Sequence, residues 1–304
     1  MRELTLGVDL SDLVARVVVV NDGGRVLARG ELPPSVSHLA HLAHGVRDAA
    51  LRAIAGAGAK VAALAVALPQ AGDPVPADIA TALAEAAPGA RAVIPVAAGT
   101  AAAIAEQWCG AARGLKQVIT CSIGEHVTAG LLVNGEPWLG AHGLAGSVGW
   151  LALNPVERED YRRWGGLEAE VGAAGIVRRL VWRIKSGDRS AVTDNVGGDL
   201  TRITADDVFQ GARAGDGVSI SVVRDTAKYI GMAVANLATM LDPEVVVLGG
   251  TIAVSGDLML EPIRLECTRR LRPAQAERLK IVLSTLGADA VAIGAARAAA
   301  HPPA

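Results

Sequence analysis

The sequence predicts an α/β protein with two lobes that repeat one plan and face a common cleft. The chain has 304 residues, of which 51% are hydrophobic, enough for two domains of ordinary size. Runs of β-branched residues separated by turn signals predict a strand meander near the N-terminus and a second one after residue 116. Helix and strand patterns alternate after each meander. We therefore expect an N-terminal lobe over residues 1–114 and a C-terminal lobe over residues 115–304.

In the first lobe, Asp22-Gly23-Gly24 supplies a turn within the meander, and Pro33-Pro34 ends it. The predicted strands are Thr5–Leu10, Leu13–Asn21, Arg25–Leu32, Val61–Leu68 and Arg91–Val96. The predicted helices run from a cap at Ser35 or Ser37 to about Ala55, from Pro76 to Ala86, and from Gly99 to Ala112.

In the second lobe, Asn134-Gly135 is a strong hairpin signal, whereas residues 141–166 are Gly-rich and irregular. The predicted strands are Gln117–Ile123, Thr128–Val133, Pro137–Leu139, Glu244–Leu248 and Leu279–Leu283. The predicted helices are Leu167–Ile184, Thr204–Ala214, Ser219–Leu241, one from the Gly249-Gly250 turn to about Leu271, and Ala288–Ala300. We expect the last helix to pack back on the first lobe.

Composition excludes several classes of protein. A net charge of -2 with interspersed acids and bases leaves no basic stripe for nucleic acid. The three cysteines, Cys109, Cys121 and Cys267, lie far apart in apolar segments, which is typical of reduced, buried thiols. No basic region followed by an apolar block opens the chain, and no apolar run reaches membrane-spanning length. We expect a cytoplasmic protein without membrane contact.

Several motifs together resemble the ROK family, which comprises sugar kinases, such as bacterial glucokinase-like enzymes, and sugar-responsive repressors. The most specific are the stretches LDPEVVVLGG and NGEPWLGAHGLAG, and the others are Gly7-Val8-Asp9, Ala145-Gly146 and Leu167-Glu168. The resemblance runs over essentially the whole chain. It implies the actin-like ATPase (ribonuclease H-like) fold with a cleft between the lobes.

The resemblance also identifies positions that contact nucleotide in family kinases. The first phosphate turn, D-x-G-G-T in the family, is Asp9-Leu10-Ser11-Asp12-Leu13 here, and the second, G-T-G-I-G, is Gly124-Glu125-His126-Val127-Thr128. Each has gained an acid that would repel a polyphosphate, and the first reads equally as a plain exposed turn. On the adenosine side, Gly249, Gly250 and Thr251 keep the family pattern, although a strand-to-helix turn needs such residues anyway.

The expected catalytic base is missing from the pattern. Family kinases carry an Asn-Asp pair just before the Ala-rich helix, and the Asp accepts the proton of the attacking sugar hydroxyl. Alignment on that helix puts Ala97 and Ala98 at these two positions. The nearest acid downstream, Glu106, lies two helical turns farther along.

The sugar and zinc positions also depart from the family. The pattern A-G-E-x-G-H becomes Ala145-Gly146-Ser147-Val148-Gly149-Trp150. Of the implied sugar contacts at Gly146, Ser147, Trp150 and Glu168, Glu168 keeps its charged residue type, although it also suits a helix start. The stretch 160–166 lacks the cysteines of the family zinc site, so we expect no zinc.

Two further clusters have open interpretations. Trp150, Tyr161 and Trp164 could form an apolar plug in place of the zinc site. Three histidines, His38, His41 and His44, recur on a predicted helix and could hold a transition metal or form a solvated face.

The leading hypothesis is therefore a non-catalytic regulatory or ligand-sensing ROK protein, a pseudokinase that binds a small sugar-like ligand and forms a homodimer. No cofactor is expected. The alternative is an ATP-dependent sugar (hexose) kinase, using ATP and Mg²⁺, with Asp9, Glu125 or Glu168 recruited to new roles. A third possibility is another enzyme that reuses the cleft. Family repressors carry a winged helix before this fold, and the first strand begins at once here, so direct nucleic-acid binding is not expected.

Overall fold

The computed structural model describes residues 4–32, 39–58, 60–70, 72–91 and 93–302. Within these ranges the strands are β1 (Leu4–Asp9), β2 (Ala15–Val20), β3 (Val26–Leu32), β4 (Val61–Leu68), β5 (Ile94–Ala97), β6 (Val118–Ile123), β7 (Val127–Val133), β8 (Glu136–Pro137), β9 (Val245–Gly250) and β10 (Lys280–Leu283). The helices are α1 (Leu39–Ala57), α2 (Ala77–Ala86), α3 (Ala98–Cys109), α4 (Glu159–Trp164), α5 (Gly166–Val171), α6 (Ala173–Lys185), α7 (Val192–Asn195), α8 (Ala205–Arg213), α9 (Gly217–Leu241), α10 (Thr251–Val254), α11 (Gly256–Thr268), α12 (Pro273–Arg278) and α13 (Ala290–Ala300).

The first sheet has the strand order β3-β2-β1-β4-β5. Strands β1, β2 and β3 pair antiparallel, whereas β4 is parallel to β1 and β5 is parallel to β4. The predicted three-stranded meander is confirmed, and the structure shows that the two strands that follow it are parallel to β1. Since successive side chains point to opposite faces, Leu64 and Val66 of β4 join one apolar cluster with α1 and α2, and Ala63 and Ala65 join another with α13.

The second sheet has the order β10-β9-β6-β7-β8. Read from β8, this is the order of the first sheet read from β3, so the predicted repetition of one plan is confirmed. The hairpin between β7 and β8 turns at Asn134 (φ 56°) and Gly135 (φ 86°). Two successive left-handed residues form the turn that matches the twist of adjacent strands.

Helix α13 approaches the first sheet and α3 very closely. A Cβ placed on Gly7 of β1 would lie 1.9 Å from the carbonyl oxygen of Ala292. A Cβ on Gly294 would lie 1.7 Å from that of Ala101. The abundance of Ala and Gly therefore has a local packing reason in these elements, because only small residues permit this approach.

The structure corrects two predicted helices. The segment predicted as one helix over Leu167–Ile184 is two helices, α5 and α6, separated at Gly172, whose ψ of 159° is extended. The amide of Ala173 bonds to the carbonyl oxygen of Gly124 at 2.9 Å instead of continuing α5. Similarly, the helix predicted to reach Leu271 is divided into α10 and α11 near Ser255, and α12 was not predicted. Local propensity did not reveal the break at Gly172, because a contact with a distant segment produces it.

By its contacts the chain divides into two compact units. The first contains the described residues up to Ser122, Thr128–Ser147 and the described residues from Ser284 onward, and the second contains Ile123–Val127 and Val148–Leu283. The predicted lobe boundary after residue 114 stays a prediction. In the described part of the chain, no helix combines the length and the apolar character that a membrane span requires.

Two of the three cysteines are buried as predicted. Burial raises the pKa of Cys121 to about 12 and that of Cys267 to about 11, so both remain protonated thiols at neutral pH. Cys109 is only partly buried.

Candidate functional site

In the first unit, the C-terminal ends of the three parallel strands β1, β4 and β5 lie side by side, and this end of the strands is here called the sheet edge. Asp9 is the last residue of β1 and is opposite Ala67 of β4. Leu68 of β4 is opposite Ala97, the last residue of β5. Asp9 and Ala97 therefore lie at the same sheet edge, two strand spacings or about 10 Å apart.

The Asp9 carboxylate is buried and accepts hydrogen bonds from its own turn. Asp9 is 3% exposed. Oδ1 accepts hydrogen bonds from the Ser11 amide at 2.8 Å and from the Ser11 hydroxyl at 2.6 Å. Burial raises the pKa of Asp9 to about 6, against the opposing effect of these hydrogen bonds. Asp12 in the same turn is exposed and accepts a bond from the Leu13 amide at 2.8 Å.

The strand-to-helix junction after β5 carries no ionisable side chain. Ala97 ends β5, and Ala98 begins α3 and is buried. The next acid along the helix, Glu106, is buried near its far end. Glu106 accepts bonds from the Ser284 hydroxyl at 2.5 Å and the Ala111 amide at 2.7 Å. Glu106 is thus committed to holding the C-terminal end of α3.

The start of α3 is fixed by close backbone contact with β7. A Cβ on Gly130 would lie 1.9 Å from the carbonyl oxygen of Gly99. Thr120 of β6 joins the same contact, since its hydroxyl donates to the Gly99 carbonyl oxygen and accepts from the Gly130 amide, both at 3.2 Å. The junction that carries Ala98 is therefore rigidly placed.

In the second unit, Glu168 holds the turn between β6 and β7. Its Oε2 accepts a hydrogen bond from the Val127 amide at 2.8 Å, and its Oε1 lies 3.3 Å from Nδ1 of His126. Both carboxylate oxygens thus contact the turn that begins at Gly124. The sequence had suggested that Glu168 either contacts sugar or begins a helix, and neither interpretation included this contact. Glu168 lies 41 residues from Val127 and 42 residues from His126 in the sequence.

Trp150 is brought next to Glu168 through two glycines. A Cβ on Gly149 would lie 3.1 Å from Glu168 Oε2, and a Cβ on Gly165 would lie 2.8 Å from Cα of Trp150. Trp150 itself is 57% exposed and Trp164 is 45% exposed. The apolar plug predicted for Trp150, Tyr161 and Trp164 does not form within the chain, because the two indoles remain largely in solvent.

The first unit contains the two remaining sugar positions. Gly146 has φ 91°, and its carbonyl oxygen accepts a bond from the Ala129 amide at 2.9 Å. A Cβ here would lie 2.1 Å from the Ala129 carbonyl oxygen. Ser147 is exposed, and its hydroxyl donates to the Leu144 carbonyl oxygen at 2.7 Å. Only glycine fits at position 146.

The glycines on the predicted adenosine side end a strand. Gly249 and Gly250 are the last residues of β9, and helix α10 follows directly. Gly250 has φ 68°, and a Cβ on it would lie 2.3 Å from the carbonyl oxygen of Ile123. This packing alone requires glycine, and the side chain of Thr251 lies outside the described part of the chain.

The described residues do not fit a bound metal. They contain no group of three or more His, Cys, Asp or Glu side chains that could hold one. The stretch from Asp160 to Gly166 forms α4 and the start of α5 with no thiol or imidazole, so it does not fit tetrahedral zinc. The proposed histidine cluster lies partly outside the described residues, because nothing is described at His38 or for the side chain of His41.

Sequence analysis did not reveal a cavity in the second unit. It lies beside α6 and α9, and several arginines line it. Its sequence signal is the run Arg178-Arg179 and Arg183 on α6, which alone is typical of an ordinary solvated face.

The chain is similar to proteins of one family in its sequence and in its fold. The family model described as "ROK family" matches residues 90–301. A glucokinase of Halalkalibacterium halodurans is 34% identical over 198 residues, which are 64% of this chain and 59% of that protein. A xylose repressor of Caldicellulosiruptor bescii is 30% identical over 202 residues, 64% of this chain and 48% of the repressor. The chain thus spans about half to three fifths of these relatives.

Solved structures of similar proteins cover nearly the whole chain. A ROK family glucokinase from Streptomyces griseus, in complex with glucose and AMPPNP, has a TM-score of 0.80 at 24% identity, covering 98% of this chain and 99% of that one. A ROK hexokinase from Thermus thermophilus has a TM-score of 0.73 at 25% identity, with 98% of each chain covered. The fold is that of these sugar-kinase structures.

Proposed function

The chain belongs to the ROK family, and we propose that it is a ligand-sensing or regulatory member that binds a sugar-like molecule without efficient phosphoryl transfer. The observation that carries this proposal is the pair Ala97 and Ala98 at the junction of β5 and α3. By resemblance, this is where family kinases hold the Asp that accepts the sugar proton. Loss of a general base typically costs about 10² to 10⁴ in rate.

Two other acids that could replace the missing base, Glu106 and Glu168, already make structural hydrogen bonds. Glu106 is buried between a hydroxyl and an amide at the far end of α3. Glu168 contacts the turn after β6 with both of its carboxylate oxygens. Both carboxylates are therefore already engaged in hydrogen bonds that hold the structure.

Sugar binding is supported by the relatives rather than by a bound ligand. The S. griseus glucokinase is described with glucose, and the C. bescii relative is named for xylose repression. Near Glu168, the exposed indole of Trp150 could stack on a sugar ring. We infer that glucose, xylose or a related sugar is the ligand class to test first. That the chain does not itself bind DNA remains our prediction, because its net charge of -2 offers no phosphate-binding stripe.

One observation favours the alternative, an ATP-dependent sugar kinase with a diverged site. Asp9 lies at the same sheet edge as Ala97, and its pKa of about 6 suits a proton acceptor at neutral pH. Under this alternative, ATP–Mg²⁺ would be the phosphoryl donor and Asp9 the base. The departures in both phosphate turns argue against it.

The two proposals separate in one set of assays. Purified protein is incubated with ATP–Mg²⁺ and glucose, xylose or N-acetylglucosamine, and sugar phosphate is measured; sugar binding is followed in parallel by calorimetry. We expect binding of at least one sugar, with turnover absent or at least about 10²-fold below the usual range of kinases. Turnover at about 1 to 100 s⁻¹, the usual range of kinases, would refute the non-catalytic proposal. If Asp9→Asn then abolished that turnover while the Asp12→Asn control retained it, the alternative would stand.

We further propose that the protein is a homodimer. Large exposed apolar side chains, including Trp150, Val156 and Trp164, occur close together in sequence around α4. Such surface is unfavourable for a monomer. Light scattering behind size exclusion should give twice the chain mass of 31.0 kDa, and a mass of one chain would refute the dimer.

A further inference from the structure

A cavity of about 930 Å³ lies wholly within the second unit. It is bounded by the segment that precedes α4 and by helices α6 and α9. Its lining includes Arg158, Tyr161, Glu170, Arg178, Arg179 and Trp182. The volume is at the upper end of the range of small-molecule sites.

A buried carboxylate organises one wall of this cavity. The Glu170 side chain is 3% exposed. Glu170 Oε1 accepts hydrogen bonds from the Tyr161 hydroxyl at 2.5 Å and from Arg158 Nη1 at 3.1 Å. Glu170 Oε2 lies 3.8 Å from Nε of Arg179. Burial and the Glu170 charge raise the pKa of Tyr161, so the phenol remains a donor to this carboxylate.

This wall carries one positive charge more than its acids neutralise. Asp160 is shared by Arg158, at 3.0 Å, and by Arg178, at 2.8 Å. Three guanidinium groups, those of Arg158, Arg178 and Arg179, therefore face two carboxylates, those of Glu170 and Asp160. The excess of one positive charge is favourable for a monoanion.

The other charged residues of the lining are paired one to one. Arg183 forms an ion pair with Asp188, and Lys228 pairs with Asp225 at 3.2 Å. They do not change the excess charge of the wall.

The hydrogen bonding of the Arg179 guanidinium is incomplete. Its Nη2 donates to the hydroxyl of Thr226, but its buried Nε has no hydrogen-bond partner among the described residues. A buried guanidinium donor without an acceptor is costly. The nearest acid, Glu170, has its Oε2 3.8 Å from this nitrogen, which is too far for a hydrogen bond, so the Arg179 charge is only partly compensated.

The rest of the cavity lining includes apolar and aromatic side chains. Trp182 of α6, and Val222, Tyr229 and Met232 of α9, are among its lining residues. Aromatic rings and a flexible thioether accommodate planar apolar groups of varied shape. A ligand with only a charged group would leave this surface uncovered.

We propose that this cavity is a binding site for an organic monoanion, a carboxylate or sulfonate carried on an apolar or aromatic body. The anionic group lies against Arg178 and Arg179, and the body lies against Trp182 and the α9 side chains. None of the four sugar positions is among the cavity's lining residues, and Glu170 and Glu168 are two residues apart on α5 and so point to opposite sides of that helix. The inference does not depend on the proposed function.

The test uses the fluorescent monoanion 8-anilinonaphthalene-1-sulfonate and its uncharged counterpart N-phenyl-1-naphthylamine as probes of the full chain. Two pairs of matched variants are compared. Arg178→Gln removes a cavity charge, and Arg224→Gln makes the same change at an exposed residue of α9 outside the lining. Met232→Glu adds a negative charge to the cavity without breaking an ion pair. Its control, Met240→Glu, makes the same change outside the cavity, at a residue of α9 that is 79% exposed.

We expect saturable binding of the anion to the wild type, weakened about tenfold by Arg178→Gln and by Met232→Glu, and unchanged in the two control variants. The neutral dye should bind more weakly than the anion. If Arg178→Gln loses its native circular dichroism spectrum, the Met232→Glu and Met240→Glu pair decides alone. Equal affinity of Met232→Glu and wild type for the anion, equal affinity of the two dyes, or absence of binding to the wild type would each overturn the proposal.

Discussion

Replacement of Asp9 by asparagine should stabilise the protein at neutral pH and have little effect near pH 4. The Asp9 carboxylate is buried, and its pKa rises from the ordinary 3.8 to about 6. Asparagine keeps an oxygen that can accept the Ser11 amide and hydroxyl, which donate to Asp9 Oδ1. The substitution therefore removes mainly the cost of a buried charge.

The magnitude follows from proton linkage. Folded Asp9 holds its proton up to about pH 6, whereas the unfolded chain releases it near 3.8. Between these values the native state binds more protons than the unfolded state, so the free energy of unfolding falls as pH rises. A difference of about two pH units at about 1.4 kcal/mol each amounts to about 3 kcal/mol. This contribution is fully present below pH 3.8 and lost above pH 6.

The assay is urea unfolding of wild type and Asp9→Asn, followed by far-UV circular dichroism at pH 4, 5, 6 and 7. The quantity compared is the difference between the two free energies of unfolding, because effects of the substitution that do not depend on pH cancel in its change with pH. The variant should gain about 2.4 kcal/mol on the wild type between pH 4 and pH 7, because a small part of the linkage free energy is already lost at pH 4. A difference that stays constant over this range, or moves in favour of the wild type, would refute the assignment of Asp9 as a buried, destabilising carboxylate.

Three further outcomes are expected. Gly130→Ala should lower the free energy of unfolding by more than about 2 kcal/mol, because its Cβ would lie 1.9 Å from a backbone carbonyl oxygen, whereas Gly217→Ala, with no atom within 4 Å, should not destabilise; equal urea midpoints for the two would contradict the close contact. Glu168→Ala should speed hydrogen exchange of the Val127 amide about tenfold, since that amide loses its acceptor, and an unchanged rate would show that Glu168 does not hold the turn. Asp216→Ala should lower the free energy of unfolding by about 1 kcal/mol at pH 7, because it removes the N-cap of α9. Burial acts to raise the pKa of the Asp216 carboxyl, but the hydrogen bonds that it accepts lower this pKa overall. The loss of stability should therefore shrink as pH falls below 3.8, and a loss that is independent of pH would be evidence against the charged cap.

Much of the secondary structure follows from local patterns alone. The strands β1 and β4 are continuous β-branched or apolar runs, and Asn134-Gly135 requires left-handed backbone that few other residues adopt. The helix break at Gly172 was not predicted, because α5 ends where an amide bonds to the distant Gly124 carbonyl oxygen. Sequence periodicity contains no information about such a contact.

The candidate site divides in the same way. The absence of a proton acceptor at Ala97 and Ala98 is a property of residue type and can be read without coordinates, once the family resemblance sets the alignment. The burial that gives Asp9 a pKa of about 6, and the bonds from Glu168 to the turn after β6, depend on side chains and strands that only folding brings together.

The amino-acid sequence by itself determined the α/β class, the repeated succession of strands and helices and the residue types available for chemistry, because each rests on local preference and patterning. Only the tertiary structure decided which acids are buried, which are held by backbone amides, and that arginines from two separate segments meet Glu170 in one cavity. Electrostatic energies depend on distance and on the exclusion of water. Neither quantity exists until the chain has folded.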